Sequence, residues 1–302
     1  MCYAWLRSNI QPMNDVTYRD LQRGLRELGL RPSSRVIAHA SLSAFGHVRG
    51  GAPALAAALT AACDLTLMPA FTYQCLVTPL VGPADNDLDY GDYYAENAEA
   101  ELFQPDLPAH AEMGVTAETL RHLPGARRSG HPLLSFTAVG SGAEQTLAAQ
   151  TLAEPLGPLA RLAADGGEVL LLGVDHTRNL ALHYAEARAG RKQFVRWALT
   201  LDGVRECGGW PGCPDGFNAI APHVQAITRA AQVGDALLQR LPLAELLSTA
   251  EALIRRDPLA LLCARPACPR CDAVRRQVAC AVSAAPRLLS RLSLETGRPP
   301  AV

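Results

Sequence analysis

The chain of 302 residues has no apolar run of the roughly 18–20 residues that a bilayer span requires, so no membrane partner is expected. Lysine is scarce, arginine dominates the positive charge, and the formal net charge is −1. That balance lacks the clustered basic excess that phosphate contacts need, so no nucleic-acid partner is expected either. The start, MCYAWLRSNIQPMNDVTYRD, lacks a basic segment followed by an apolar core. It is read as no secretion signal, and a cytoplasmic location follows. GxSxG, GxGxxG, the P-loop and HExxH are all absent, which excludes the common serine-hydrolase, dinucleotide, nucleotide-triphosphate and zincin signatures.

What is present is a large supply of core: 49% of residues are hydrophobic and 19% charged. TYRDLQRGLRELGL (17–30) reads as an amphipathic helix with Thr17 as its N-cap. RVIAHASLSAFG is a short strand, Val36 to Ala38, breaking into a loop. After Gly50 and Gly51 the chain has helical propensity, and LTLMPAFTYQ is again a strand. Strand, loop, helix and strand compose βαβ grammar. The acidic, aperiodic residues 82–112 are expected to form an insertion or lid. A helix at TAETLRHL, a strand at SFTAVG and a helix near 144–153 lead to GEVLLLGV (167–174), the clearest buried strand. Residues 224–258 are read as short helices alternating with turns, and the tail RPPAV as frayed. The whole predicts one α/β domain over 1–302, three layers with a largely parallel or mixed central sheet.

Two constellations carry chemistry. In NLALHYAE (179–186), His183 and Glu186 lie three apart on one helix face, just past the carboxyl end of a strand. An imidazole titrates near working pH, and a bonded carboxylate fixes its tautomer and stabilises its protonated form. Spacing alone fits a surface ion pair as well. The second constellation is five of the six cysteines in residues 205–280: Cys207 and Cys213 in ECGGWPGCPDGF, then Cys263, Cys268 and Cys271 in LLCARPACPRCDA. Paired thiolates on tight Pro- or Gly-containing turns suit a tetrahedral structural zinc ion. Cys213 is the preferred fourth ligand, with Cys207 its rival; free thiols or a redox dithiol at CPRC are the alternatives.

Several segments in order resemble the aminoglycoside 3-N-acetyltransferase family: HASLSAFGHVRGG (39–51), LMPAFTY (67–73), MGVTAETLRHLPGARRSGHPLLSFTAVG (113–140), and GEVLLLGV followed by NLALHYAE. The resemblance covers about residues 15 to 240. It implies an acetyl-CoA-dependent N-acetyltransferase outside the GNAT fold, with His183 as general base and Glu186 as its partner. It also implies CoA contacts from His39, Ser41, Leu42 and Ser43 in the loop after the first strand. Gly50, Gly51, Phe71 and Thr72 would join them, as would Arg128, Ser129 and His131, with amides near 41–43 or 72 serving a tetrahedral oxyanion. The acceptor would be an aminoglycoside-like amine held by acids at 85, 87, 89, 92, 96, 99 and 101, and a homodimer is compatible with the reading. The chain departs from the family pattern at Ala40 and at Leu180, where a hydroxyl near the reacting centre is lost. Those departures motivate the alternatives of a non-catalytic CoA- or metabolite-binding homologue, or an acyltransferase for another amine or peptide. A zinc-dependent hydrolase is a third alternative.

Overall fold

The computed structural model describes residues 15–280; the amino-terminal start and the RPPAV tail lie outside them. In chain order the elements are α1 (Tyr18–Glu27), β1 (Arg35–Ala40), α2 (Gly51–Ala62), β2 (Leu65–Pro69), β3 (Leu76–Val77), α3 (Tyr94–Ala98) and α4 (Gly114–Arg121). Then come β4 (Arg127–Arg128), β5 (Phe136–Gly140), α5 (Ala143–Leu147), α6 (Gly157–Ala164), β6 (Glu168–Leu172) and α7 (Leu180–Arg188). The last are β7 (Phe194–Thr200), β8 (Gly203–Trp210), α8 (Ala221–Val224), β9 (Arg229–Val233), β10 (Ala236–Pro242) and α9 (Leu243–Arg256). Residues 269–280 are also helical. No described helix is long and apolar enough to cross a membrane.

A seven-stranded mixed sheet runs β4-β5-β2-β1-β6-β10-β9. Its centre, β2-β1-β6, is parallel, and every other pairing in it is antiparallel. Side-chain alternation divides the core into two layers. Ile37, Leu65, Leu67, Val169 and Leu171 face α6, α7 and α9. Val36, Ala38, Met68, Leu170 and Leu172 face α1, α2 and α4. Because both faces are covered, the central strands read as unbroken apolar runs. This is the expected three-layer α/β arrangement, in its mixed form. A second sheet, β3-β7-β8, stands beside it.

Thr17 caps α1 as expected: its hydroxyl accepts the Asp20 amide, and the Asp20 carboxylate accepts the Thr17 amide at 2.9 Å. Three expectations need correction. Beyond the short helical turn Gln225–Ile227, residues 224–258 are not short helices alternating with turns. They form the β9-β10 hairpin, closed by the two-residue loop Gly234-Asp235 between Val233 and Ala236, followed by the fourteen-residue α9. The helix near 144–153 stops at Leu147; beyond it the Gln150 amide donates to the carbonyls of Leu134 and Pro155, pinning a loop. His39 belongs to β1 rather than to the loop after it. Residues 82–112 are largely irregular, as expected, but they are tied to the small sheet. Asn86 exchanges two hydrogen bonds with the Val195 backbone, at 2.8 and 3.0 Å.

Candidate active site

The parallel strands β1, β2 and β6 deliver their carboxyl ends to one side of the sheet, where a cleft of about 1480 Å³ opens. Each strand contributes its exit. Beyond β1 comes the tight turn Leu42–Phe45, with the Ser41 and Ser43 hydroxyls 3.2 Å apart. Beyond β2 come Phe71 and Tyr73, and beyond β6 come Gly173 and Asp175. Ligand sites in open α/β sheets form at such strand ends.

His183 reaches this cleft from α7, and local sequence explains how it is held. Asn179 caps the helix, its side-chain oxygen accepting the Ala181 amide at 3.1 Å. Asn218 donates to Asp175 Oδ2 at 2.7 Å and accepts the His176 amide at 3.1 Å. Those two bonds dock the Phe217–Ile220 turn on the β6–α7 loop, and the Phe217 ring packs on the His183 ring with centroids 4.6 Å apart. The His183 side chain is 7% exposed and lines the cleft. Its Nδ1 lies 2.9 Å from Glu186 Oε2. A carboxylate only accepts, so Nδ1 is assigned as the donor in that bond. Nε2 has no hydrogen-bond partner among the described residues.

Glu186 is held from its other side by a residue that sequence reading missed. Arg191 Nη1 donates to Glu186 Oε1 at 2.7 Å, and Nη2 donates to the Pro258 and Ala260 carbonyls at 2.8 and 2.7 Å. Arg191 follows the end of α7, past a left-handed Gly190, so no helical spacing connects it to the motif. The reversal at Gly190 between two charged residues was the available signal.

Of the other sequence-predicted residues, His39, Ser41, Leu42, Ser43, Gly50, Gly51 and Phe71 line this cleft, as do Ala40 and Leu180. His39 is buried, its Nε2 has no partner among the described residues, and burial pulls its pKa down to about 3. Gly50 and Gly51 enter α2 with φ of 83° and 57°, a left-handed path that glycine takes without penalty. Thr72 is spent elsewhere. Its hydroxyl donates to the Pro132 carbonyl at 2.6 Å and its amide to Leu133 at 2.9 Å. The Ser41 amide is likewise bound to the Leu172 carbonyl. Only the Leu42 and Ser43 amides in these stretches lack a partner among the described residues.

The structure does not bring Arg128, Ser129 and His131 to the cleft. They border a separate groove of about 500 Å³. The Arg128 guanidinium is consumed by Ser135 Oγ and the carbonyls of Ala70, Pro105 and Leu107, and burial lowers its pKa to about 10. Ser129 Oγ accepts the Phe136 amide at 2.8 Å. His131 Nδ1 accepts the amides of Leu133 and Leu134 at 3.1 and 3.0 Å. All three brace a turn.

None of the acids of residues 85–101 lines the cleft. Asp87 pairs with Arg196 and Arg270, and Asp85 with Arg276. Acidity inside the cleft comes from Glu112, Asp175 and Asp235 instead. Cys213, Cys263, Cys268 and Cys271 converge, buried, with all four sulfurs within 4.8 Å of one another. Cys207 is excluded from that group. It sits in β8 within the main core, its sulfur directed to the Arg205 carbonyl at 3.8 Å.

A mixed α/β sheet with a cleft at its parallel strand ends is an arrangement that binds small molecules. The sequence profile of the aminoglycoside 3-N-acetyltransferase family matches residues 37–255, and the chain belongs to that family. It is 38% identical over 202 residues to aminoglycoside N(3)-acetyltransferase VIII of Streptomyces fradiae, covering 63% of this chain and 68% of the relative. It is 30% identical over 243 residues to aminoglycoside N(3)-acetyltransferase III of Serratia marcescens, covering 68% and 84%. Among solved structures, the apoenzyme of aminoglycoside acetyltransferase AAC(3)-IVa is similar with a TM-score of 0.72 at 26% identity, covering 88% of this chain and 99% of that one. AAC-VIa bound to sisomicin is similar with a TM-score of 0.65 at 28% identity, covering 80% and 98%.

Proposed function

We propose that the cleft takes acetyl-CoA and a polycationic, aminoglycoside-like amine, and that His183 and Glu186 drive acetyl transfer between them. The observation that carries this reading is the buried relay Arg191–Glu186–His183 ending at an imidazole on the cleft wall. An alkyl amine is mostly protonated at neutral pH and attacks only through its free lone pair. The ammonium first releases one proton to solvent; as the neutral nitrogen then attacks the thioester carbon, His183 Nε2 takes its second proton, and Glu186 stabilises the imidazolium. The C–N bond forms, the C–S bond then breaks, and the imidazolium returns the proton to the departing CoA thiolate. The free Leu42 and Ser43 amides are the donors available to the oxyanion.

The cleft exceeds the usual size of a single small-ligand site, which suits a donor and an acceptor together. Glu112, Asp175 and Asp235 supply negative charge for a polycationic acceptor. The relatives' names, and sisomicin in one of them, support the acceptor class. His183→Ala should lower turnover by about 10²–10⁴-fold while CoA binding measured by calorimetry is retained. Turnover equal to the parent would remove His183 from the mechanism. Leu180, apolar where the family pattern has a hydroxyl, favours one other reading: a homologue that binds CoA without turnover. CoA-thiol release over an aminoglycoside panel separates the two, and binding with no release on any amine would establish the second.

A further inference from the structure

We propose that Cys213, Cys263, Cys268 and Cys271 form a tetrathiolate zinc site that fixes one wall of the cleft and seats Arg191 on Glu186. The sulfurs all lie within 4.8 Å of one another. A tetrahedron with Zn–S bonds of about 2.3 Å has S···S edges of about 3.8 Å, so a slight contraction closes the site. Two ligands sit on the knuckle Cys268-Pro269-Arg270-Cys271, Cys263 lies five residues before it, and Cys213 comes from a remote loop. The thiols form a cluster of their own, apart from the two main cores, with Leu262 packed against it. So small an apolar nucleus contributes little to holding this segment.

The surroundings fit thiolates. The Cys263 amide points at Cys271 Sγ at 3.4 Å, and Arg265 Nη2 at Cys213 Sγ at 3.5 Å. Donors of this kind stabilise the surplus negative charge of four thiolates around one divalent ion. Leu261 and Ala267 hold φ of 63° and 54°, left-handed values that non-glycine residues adopt at a cost, two residues before Cys263 and directly before Cys268. A metal that fixes the neighbouring thiols opposes that cost. Four protein ligands leave no open position, so the ion is structural and does not activate water.

The site's place in the fold gives it a consequence for the relay. Cys213 adjoins Gly212, which lines the cleft, and a Cβ built on Gly212 would lie 3.6 Å from Glu186 Oε2. Cys263 follows Pro258 and Ala260, whose carbonyls receive Arg191. Arg270, inside the knuckle, donates to the Gly212 carbonyl at 3.4 Å. The ion thus ties together both strips of chain that enclose Glu186, and Arg191 acts as a positioning residue. The metal site stands independently; its effect on turnover rests on His183 being the base.

Elemental analysis of the purified full chain is expected to give one zinc per chain, and cobalt substitution the intense visible bands of a tetrahedral tetrathiolate. Cys207→Ser should keep the metal. Cys271→Ala should lose it, and Cys271→His, which restores a ligand, should regain it. Turnover should follow metal content, falling about 10–100-fold in Cys271→Ala with kcat affected more than the KM for acetyl-CoA. A metal-free parent, or a Cys268–Cys271 disulfide in its mass spectrum, overturns the site. Full zinc in the parent with unchanged kcat in metal-free Cys271→Ala overturns the link to Arg191. Failure of the His183→Ala test leaves the zinc stoichiometry untouched, so the two readings fail separately.

Discussion

Glu186 is 2% exposed, with an imidazole at one oxygen and a guanidinium at the other. A buried carboxylate is stable only if paired, and the Arg191 guanidinium supplies the opposite charge to Glu186. In the proposed mechanism the carboxylate is already oriented toward the imidazole that would take the proton. Removing the guanidinium leaves an uncompensated buried anion. Arg191→Met, similar in length but uncharged, should therefore cost about 3–5 kcal/mol in urea unfolding at neutral pH. Arg191→Lys keeps the charge but cannot reach Glu186 and two carbonyls at once, so it should cost less stability while still depressing kcat. Equal stability of parent and Arg191→Met would show that Glu186 needs no counter-charge. The sequence displayed His183 and Glu186 because three residues along a helix is a readable distance. Arg191 was hidden because a turn, not a period, returns it. Cys207 and Cys213 share one Gly- and Pro-rich stretch; strand pairing in β8 directs the first into the core, and only the second reaches the knuckle.

Three elements converge at the exit of β6. Gly173 has φ of 68°, and a Cβ there would meet Ala44 Cβ at 2.5 Å, the Ser41 carbonyl at 3.2 Å and Ala236 Cβ at 3.4 Å. The turn after β1, with its two free amides, therefore packs directly on the backbone leaving β6, and β10 closes from the far side. Gly173→Ala combines a left-handed alanine with a displaced turn, and should destabilise the fold by about 2 kcal/mol or more. It should also lower kcat/KM, because the Leu42 and Ser43 amides move with the turn. A urea midpoint and kcat/KM both equal to the parent's would show that the turn yields freely. Element by element, legibility tracked burial. β2 and β6 are covered on both faces and show as apolar runs. The edge hairpin β9-β10 has one face in water, and its Ala, Gln and Arg residues favour helix at least as much as strand. Cross-strand pairing across Gly234-Asp235 overrides that propensity, and pairing partners are not visible in a local window.

Across the whole molecule, three histidines are buried in forms that resist protonation. Burial pulls the pKa of His39 from 6.5 to about 3. Burial likewise brings His131 from 6.5 to about 4, against backbone hydrogen bonds that act the other way. His176 is lowered by burial too, with Asp175 opposing. For His131 the geometry gives the reason: its Nδ1 accepts two amides, and an imidazolium cannot accept. Below 6.5 the unfolded chain takes up protons that the folded chain refuses, so this stability is complete above pH 6.5 and drains away as pH falls toward the folded values. By pH 5, His39 and His131 should each have cost about 2 kcal/mol, a large share of a typical domain's stability. Glu118 acts lower. Burial would raise its pKa, but hydrogen bonds from Arg121 and the Ala109 amide prevail and hold it at about 2, so its loss begins only below 4.5. Acid sensitivity should therefore start in the histidine range rather than the carboxylate range. In urea titrations between about pH 7 and pH 5, His39→Gln should flatten the slope of stability against pH by about 1 kcal/mol per unit. Parallel curves for parent and variant would mean that His39 takes up its proton equally in both states, and that the cleft wall behind it is wetter than its burial implies.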